Sequence, residues 1–216
     1  MWIKICGMSD QAAIDRAAAL GVDFCGFVSY EKSPRDIDAE HAARLDTHGM
    51  ARVGVFVHGD IDEMKRFKET ARLDFIQLHG GQSVELARSF PAEEVIRVLW
   101  PPRYETEEAL QADIDRFASS CGRYLLDAGL GSGMTLDWTA LDTLHFPHPW
   151  FLSGGLGPRN IGQALAVCHP DGVDLNSKLE DAPGHKSAAL IEDAVKAVRS
   201  ASSHPGQRLW TKRNIP

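Results

Sequence analysis

The stretch WIKICGMSDQAAIDRAAALGVDFCGFV, residues 2–28, predicts a strand, a helix and a second strand in that order. Trp2–Cys6 and Phe24–Val28 are short and mostly apolar, which is typical of parallel strands covered on both faces. Between them, Asp10–Leu20 places alanine and leucine at helical spacing, and Gly21 follows as a C-terminal cap. Two strands joined by a helix form the basic unit of an α/β fold.

The same unit recurs along most of the chain. Six further strands are predicted at Arg52–Val57, Phe75–Leu78, Val95–Leu99, Tyr124–Asp127, Trp150–Ser153 and Gly172–Asn176. Seven further helices are predicted at Ala39–Thr47, Asp60–Ala71, Ser83–Ser89, Thr106–Ser119, Trp138–Leu144, Pro158–Val167 and Ser187–Ser200. Eight successive strand–helix units in about 200 residues is the pattern of a TIM barrel. We therefore predict an α/β chain folded as a single-domain (β/α)8 TIM barrel.

The alternative fold is a doubly wound open sheet. That fold usually carries a G-x-G-x-x-G turn after its first strand, whereas the turn here is Cys6-Gly7-Met8-Ser9. No long linker interrupts the pattern, so one catalytic domain is expected over residues 1–201. Residues 202–216, SSHPGQRLWTKRNIP, are polar, basic and aperiodic, and we expect a poorly ordered tail there.

Composition and charge narrow the class of protein. The 216-residue chain has a net charge of −7 and no basic stripe, which argues against a nucleic-acid partner. Neither a signal peptide nor an apolar run of about 18 residues is present, so no membrane partner and a cytoplasmic location are expected. Four widely spaced cysteines without metal-binding spacing suit a reducing compartment: Cys6, Cys25, Cys121 and Cys168. Cys25 and Cys168 are expected to be packing residues and Cys121 incidental.

Two residues at predicted strand ends are candidates for acid–base chemistry, because TIM barrels carry their functional groups at the C-terminal ends of the strands. Cys6 ends the first strand and can act as a base or nucleophile if its thiolate is favoured. The alternative is a buried small apolar residue. Asp127 ends the sixth strand and can act as a general acid if desolvation raises its pKa. The alternative is a helix cap or a structural hydrogen bond.

Other loop residues are candidates for binding an anionic substrate. Arg35, in the loop Lys32–Arg35, can hold a carboxylate through two parallel hydrogen bonds, or be a solvated cation. His79, after the fourth strand, can bind substrate or bond within the rim. Loops after strands seven and eight often hold phosphate in TIM barrels, and the candidates there are Gly154, Gly155, Asn176 and Ser177. The glycine-rich segment 129–133 is either a mobile loop that can close over the ligand or a plain solvated connection.

Taken together, these motifs resemble the phosphoribosylanthranilate isomerase family over about residues 2–200. The matching stretches, in family order, are KICG (Lys4–Gly7), GFV (Gly26–Val28), KSPR (Lys32–Arg35), VGVFV (Val53–Val57), QLHG (Gln77–Gly80), LLDA (Leu125–Ala128), GSGMTLDW (Gly131–Trp138), SGGL (Ser153–Leu156), GVDLNS (Gly172–Ser177) and E-x-x-P-G-x-K (Glu180–Lys186). The chain departs from the family pattern at Gly81-Gln82, where an acidic pair is usual, at Leu130, where glycine is common, and at Lys178, where a small residue is usual.

The resemblance implies an Amadori rearrangement of N-(5-phosphoribosyl)anthranilate in tryptophan biosynthesis. It implies Cys6 as general base, Asp127 as general acid and Arg35 as the partner of the anthranilate carboxylate. Backbone N–H groups near Gly155 and Ser177 are implied to bind the phosphate. The expected partner is a small phosphorylated substrate, with no metal and no cofactor, and members of the family occur as monomers or homodimers.

Two alternatives remain open at this stage. One is another phosphosugar barrel enzyme. The related sugar isomerases use two aspartates, and the cysteine at position 6 argues against them. Indole-glycerol-phosphate synthase uses a lysine as its acid, and no lysine stands out at a strand end. The other is a barrel that binds phosphorylated metabolites without turning them over, which the presence of both Cys6 and Asp127 argues against.

Overall fold

Eight parallel strands close into a barrel in the computed structural model, which describes residues 1–127, 138–141 and 143–202. Each strand pairs with the next, and the eighth completes the ring against the first. The strands are β1 (Trp2–Cys6), β2 (Phe24–Ser29), β3 (Ala51–Phe56), β4 (Phe75–Leu78), β5 (Val95–Leu99), β6 (Arg123–Leu126), β7 (Trp150–Leu152) and β8 (Gly172–Leu175). The predicted TIM barrel is confirmed, and every predicted strand is present to within two residues at either end.

Seven α-helices surround the barrel in the described part of the chain: α1 (Gln11–Ala19), α2 (Ala39–Arg44), α3 (Ile61–Thr70), α4 (Val84–Ala87), α5 (Glu107–Phe117), α6 (Ile161–Val167) and α7 (Ala188–Ala201). All but α6 begin at a side chain that accepts a hydrogen bond from a backbone N–H of the first turn, namely Asp10, Asp38, Asp60, Ser83, Thr106 and Ser187. Such caps stabilise a helix by about 1 kcal/mol each.

Three predicted helices differ from the structure, of which the one predicted at Ala39–Thr47 ends at Arg44. The helix predicted from Pro158 begins only at Ile161, because the Asn160 side chain accepts from Gly157 N and donates to Gly155 O. These local bonds hold a turn in place of a first helical turn. The helix predicted at Trp138–Leu144 is a 3-10 helix at Trp138–Leu141.

The C-terminal helix ends where the predicted tail begins. The Ser202 hydroxyl donates to the carbonyl of Val198, and so does its backbone N–H, so Ser202 caps α7 and is not part of the tail. Residues 203–216 lie outside the described residues. After β8 the chain also forms a hairpin from β9 (Glu180–Ala182) and β10 (His185–Lys186).

The barrel interior is filled by apolar side chains in its lower part and by polar ones near its mouth. Aromatic rings pack edge to face at the bottom, where Phe24 lies 5.4 Å from Phe151 and 6.0 Å from Trp2 between ring centroids. Alternate residues of a strand point to the same face, so Lys4 and Cys6 follow Trp2 inward along β1. Along β1 the inward side chains therefore change from an aromatic ring in the packed core to polar groups near the mouth of the barrel.

Candidate active site

Cys6 is a buried thiol at the inner end of β1. It is 4% exposed and packs against Val28 and Val55 of the neighbouring strands. Burial raises the pKa of this thiol above its ordinary value, and the positive charges of Lys4 and Lys186 act in the opposite direction. Cys6 therefore lies at the barrel mouth as predicted, and its burial favours the thiol over the thiolate.

An ion pair lies directly beneath Cys6. Lys4 Nζ is 2.8 Å from Asp174 Oδ1, across the contact between β1 and β8, and the side chains are 0% and 5% exposed. The hydroxyl of Ser153 lies 3.5 Å from the other oxygen of Asp174. Neither Lys4 nor Asp174 was predicted as a site residue. The available signal was a charged residue within an apolar strand, since buried charges are rare unless paired.

Asp127 follows β6, and its side chain is 18% exposed. In the ring of eight strands β6 is three strands from β1, so Asp127 and Cys6 stand at the ends of strands on opposite sides of the barrel. His79 Nε2 lies 3.7 Å from Asp127 Oδ2, and its other ring nitrogen lies 3.1 Å from Gln77 Nε2. Burial lowers the pKa of His79 to about 4, so its ring is neutral at physiological pH. His79 and Asp127 form one polar wall of the site.

Arg35 is paired within the protein. Its Nε and Nη2 atoms donate to the two carboxylate oxygens of Glu180 at 2.7 and 2.6 Å. Lys186 Nζ donates to the same carboxylate at 2.6 Å and to Asn176 Oδ1 at 2.8 Å. Arg35 is thus not the solvated loop cation of the alternative interpretation. Glu180 and Lys186 belong to the quoted E-x-x-P-G-x-K motif, but sequence reasoning gave them no role.

The β9–β10 hairpin holds this charged group over the barrel mouth. Gly184, at the turn, adopts φ +85°, and a methyl group there would lie 2.4 Å from the carbonyl oxygen of Pro34. Only glycine allows the hairpin to approach the loop that carries Arg35 so closely. This contact explains how an arginine after β2 meets a glutamate after β8.

The two loops predicted to bind phosphate lie side by side after β7 and β8. Gly154 and Gly155 have φ values of +96° and +65°, a conformation that glycine adopts without strain. Asn176 accepts from Lys186, as described above, and Ser177 begins a 3-10 helix with an exposed side chain. The structure therefore brings the four predicted residues to the same edge of the mouth.

The departures from the family pattern have local explanations where the structure describes them. Gln82 accepts from Gly80 N and donates to the carbonyl of Phe56, so its side chain ties the loop after β4 to β3. Lys178 is exposed, with its stem against Gly157. Leu130 and the predicted mobile loop 129–133 lie outside the described residues. Cys25, Cys121 and Cys168 are buried; Cys25 and Cys168 are the packing residues expected, and Cys121 is a core residue too.

Comparisons with a family model and with known relatives point to the same protein family. Residues 3–197 match the model of the family described as N-(5′-phosphoribosyl)anthranilate (PRA) isomerase. A relative of that name from Desulfovibrio desulfuricans is 46% identical over 211 residues, which cover 96% of this chain and 99% of the relative.

Solved structures agree with this match. A phosphoribosylanthranilate isomerase in complex with reduced 1-(o-carboxyphenylamino)-1-deoxyribulose 5-phosphate superimposes with a TM-score of 0.77 at 30% identity, covering 93% of this chain and 99% of that one. Monomers generated from the dimeric isomerase of Thermotoga maritima superimpose with a TM-score of 0.79 at 29% identity, with the same coverage. The chain therefore belongs to the N-(5′-phosphoribosyl)anthranilate isomerase family.

Proposed function

We propose that this chain converts N-(5′-phosphoribosyl)anthranilate to 1-(2-carboxyphenylamino)-1-deoxyribulose 5-phosphate, with Cys6 as general base and Asp127 as general acid. The observation that carries the proposal is the placement of these two groups on opposite sides of one barrel mouth. Membership of the isomerase family supports the reaction, and the geometry supports the assignment of roles.

The chemistry needs one acid and one base. A protonated Asp127 delivers a proton to the furanose ring oxygen as the ring opens, which leaves an iminium ion. The iminium makes the C2′–H acidic, and a thiolate at Cys6 removes that proton. The resulting enolamine tautomerises to the ketone. Acid and base groups of this kind each accelerate a reaction by about 10²–10⁴-fold.

Arg35 is proposed to bind the anthranilate carboxylate. Glu180 already occupies the Nε and Nη2 side of its guanidinium. The substrate carboxylate therefore binds on the remaining side of the guanidinium or replaces Glu180. In either case Glu180 holds Arg35 in place before the substrate arrives, which reduces the entropy lost on binding.

The phosphate is proposed to bind at the loops after β7 and β8, next to the group formed by Arg35, Glu180 and Lys186. Backbone N–H groups near Gly155 and Ser177 supply the hydrogen bonds, as loops after strands seven and eight do in many TIM barrels. His79, Gly154 and Asn176 are proposed as further substrate contacts. The proposal includes no metal and no cofactor.

Membership of the family supports a proposal about where and in what form the enzyme acts. In the described residues, none of the helices combines the length and the apolar character needed to cross a membrane. We propose a cytoplasmic enzyme acting on a small molecule, as a monomer or as a homodimer.

The test is turnover of freshly prepared phosphoribosylanthranilate, followed by its fluorescence. Cys6→Ser and Asp127→Asn are each expected to lose at least about 10²-fold in kcat while keeping the wild-type circular dichroism spectrum. Cys25→Ala is the matched control, because Cys25 is an equally buried thiol on the adjacent strand that packs against the helices. Near-normal turnover in Cys6→Ser or Asp127→Asn would refute that residue's role. Binding without turnover by the wild-type protein would favour the inactive barrel.

A further inference from the structure

A buried thiol is a poor base unless something stabilises its anion. Cys6 is almost completely enclosed, and burial raises the pKa of its thiol. The proposed mechanism requires the thiolate at this position, since only the anion can accept a proton from carbon. The charge that offsets the cost of burial must therefore come from neighbouring side chains.

Charged and titratable groups on four strands and one loop interact electrostatically with Cys6. Lys4 lies on β1, Asp174 on β8 and Lys186 on β10, and each interacts electrostatically with the thiol. Arg35, from the loop after β2, and Cys25, on β2, also interact with it. Three of these five groups are cations.

The three cations are engaged differently. Arg35 and Lys186 both bind the carboxylate of Glu180, so that one anion is shared between two positive charges. Lys4 has its own counter-ion in Asp174, at 2.8 Å. Of the three, Lys4 lowers the pKa of Cys6 most, and it does so more strongly than Asp174 raises it.

Gly26 makes room for Lys4 and Cys6 to approach each other. It lies opposite Cys6 on β2, and a methyl group at this position would be 3.1 Å from Cys6 Sγ and 3.3 Å from Lys4 Nζ. Both atoms thus border the same small space. With no side chain at position 26, the ammonium and the sulfur border one small space that is almost fully buried.

We propose that Lys4 is a positioning residue that keeps the Cys6 sulfur anionic when it acts as a base, and that Asp174 keeps Lys4 charged and directed at that sulfur. The inference rests on the proposed role of Cys6. In water a lysine would add little to the stability of a thiolate, but here no solvent screens the pair. Asp174 is needed because a lysine buried alone would lose its proton.

The experiment measures ionisation of Cys6 separately from catalysis. The rate of Cys6 alkylation by iodoacetamide is followed against pH in the folded protein, with the modified peptide identified by mass spectrometry. Lys4→Met is expected to reduce the thiolate fraction at pH 7 by about tenfold or more, with an equal fall in kcat/KM that arises from kcat and not from KM. The pH at which kcat/KM rises should move upward by about one unit or more, because a tenfold loss of thiolate corresponds to about one pKa unit.

Further variants separate charge from folding. Lys4→Met/Asp174→Asn removes both charges and leaves no buried charge unpaired, and it should show the same direction of change. Lys4→Arg keeps the charge and the pair and should retain most of the thiolate. Arg52→Met is the matched control, because Arg52 is a buried cation that bonds backbone carbonyls on the helical side of the barrel. It should lower stability without changing the alkylation profile of Cys6.

The outcomes distinguish this inference from the proposed function. An unchanged alkylation profile in Lys4→Met or in the double variant would overturn the inference. So would a Lys4→Arg protein in which Cys6 ionises no better than in Lys4→Met, since charge would then not be the cause. Full activity in Cys6→Ser would instead overturn the role of Cys6 in catalysis. The alkylation experiment would still measure whether Lys4 promotes ionisation of Cys6.

Discussion

Arg35 and Glu180 form a two-point ion pair between the loops after β2 and β8, the two strands that flank β1, with N···O distances of 2.7 and 2.6 Å, although 145 residues separate them in the chain. The side chain of Glu180 is 4% exposed. It also accepts a hydrogen bond from Lys186, whose side chain is fully buried. One carboxylate therefore anchors the loop after β2, the loop after β8 and the β9–β10 hairpin at the same point.

This arrangement predicts an acid-dependent stability that Glu180 controls. Burial acts to raise the pKa of Glu180, but hydrogen bonds and charge from Arg35 and Lys186 outweigh it, so its pKa lies below the ordinary value of 4.5. A carboxyl group of this kind stabilises the folded state above its unfolded pKa and loses that contribution as pH falls through its folded pKa. We expect Glu180→Gln to be about 1–3 kcal/mol less stable at pH 7, and to lose less stability than wild type as the pH falls below about 4.5.

Urea unfolding of both proteins between pH 7 and pH 3 measures this difference. Glu192→Gln is the control, because Glu192 also pairs with two cations but does so at the surface. Parallel stability curves for wild type and Glu180→Gln would contradict the prediction.

A second prediction concerns the affinity for substrate. If Arg35 binds the anthranilate carboxylate, Arg35→Met should raise KM about 10- to 100-fold, since a hydrogen bond to a charged group contributes about 1.5–3 kcal/mol. Arg35→Lys should recover little, because an ammonium cannot form two parallel bonds with a carboxylate. Steady-state kinetics of both variants measure the effect. Lys32→Met is the control, because Lys32 is an exposed cation of the same loop, and it should leave KM unchanged. An equal rise of KM in that variant would show a general effect of positive charge and contradict the prediction.

A third prediction follows from the neutral ring of His79. Its pKa is lowered to about 4 by burial, whereas in the unfolded chain it is near 6.5. The unfolded state therefore binds more protons between these values, so His79 destabilises the fold as pH falls from about 6.5 to 4. The side chain is 26% exposed, and solvent reduces the effect to about 1 kcal/mol.

His79→Gln should remove that part of the pH dependence. Thermal unfolding of wild type and variant at pH 7 and pH 5 tests this, and the variant should lose less stability over the interval. The wild-type rate profile should also show no ionisation assignable to His79 between pH 5 and 8. Identical pH dependence in the two proteins would show that His79 is not neutral in the folded state.

Local sequence patterns were sufficient to predict most of the barrel. Strands such as Phe24–Val28 are nearly continuous apolar runs, and helix caps such as Thr106 precede acidic first turns. Position at a strand end made Cys6 and Asp127 candidates, and the structure places both residues at the C-terminal ends of their strands. Helix α6 was predicted to begin too early because the bonds that Asn160 makes to Gly155 and Gly157 depend on a turn geometry that periodicity does not describe.

The ion pairs could not be predicted because they form only when the barrel closes. Lys4 and Asp174 are 170 residues apart and meet through the pairing of β1 with β8. Each is a single charge within an apolar strand, which indicates a buried partner but not its identity. The strand order supplies that identity, because it places the first and last strands side by side.

A last prediction tests how closely the site is built around the empty space at Gly26. A methyl group there would lie 3.0 Å from the Cα of Cys6 and nearly as close to its sulfur and to the Lys4 ammonium. Gly26→Ala should therefore displace the thiol and its neighbouring cation by several tenths of an ångström. Overpacking of this kind costs about 1–3 kcal/mol of stability.

The loss of activity should exceed what that stability change alone would cause. Small misplacements of a reacting group reduce rates by up to about 10²-fold, so we expect kcat to fall about 10- to 100-fold in a protein that remains folded at 25 °C. Gly162→Ala is the matched control, since a methyl group on that residue of α6 would meet no atom within 4 Å. It should leave kcat unchanged and keep or slightly raise the melting temperature, because alanine favours a helix over glycine. Wild-type kcat in a folded Gly26→Ala protein would show that the thiol does not depend on this close packing, which would remove the geometric basis for the coupling of Lys4 to Cys6.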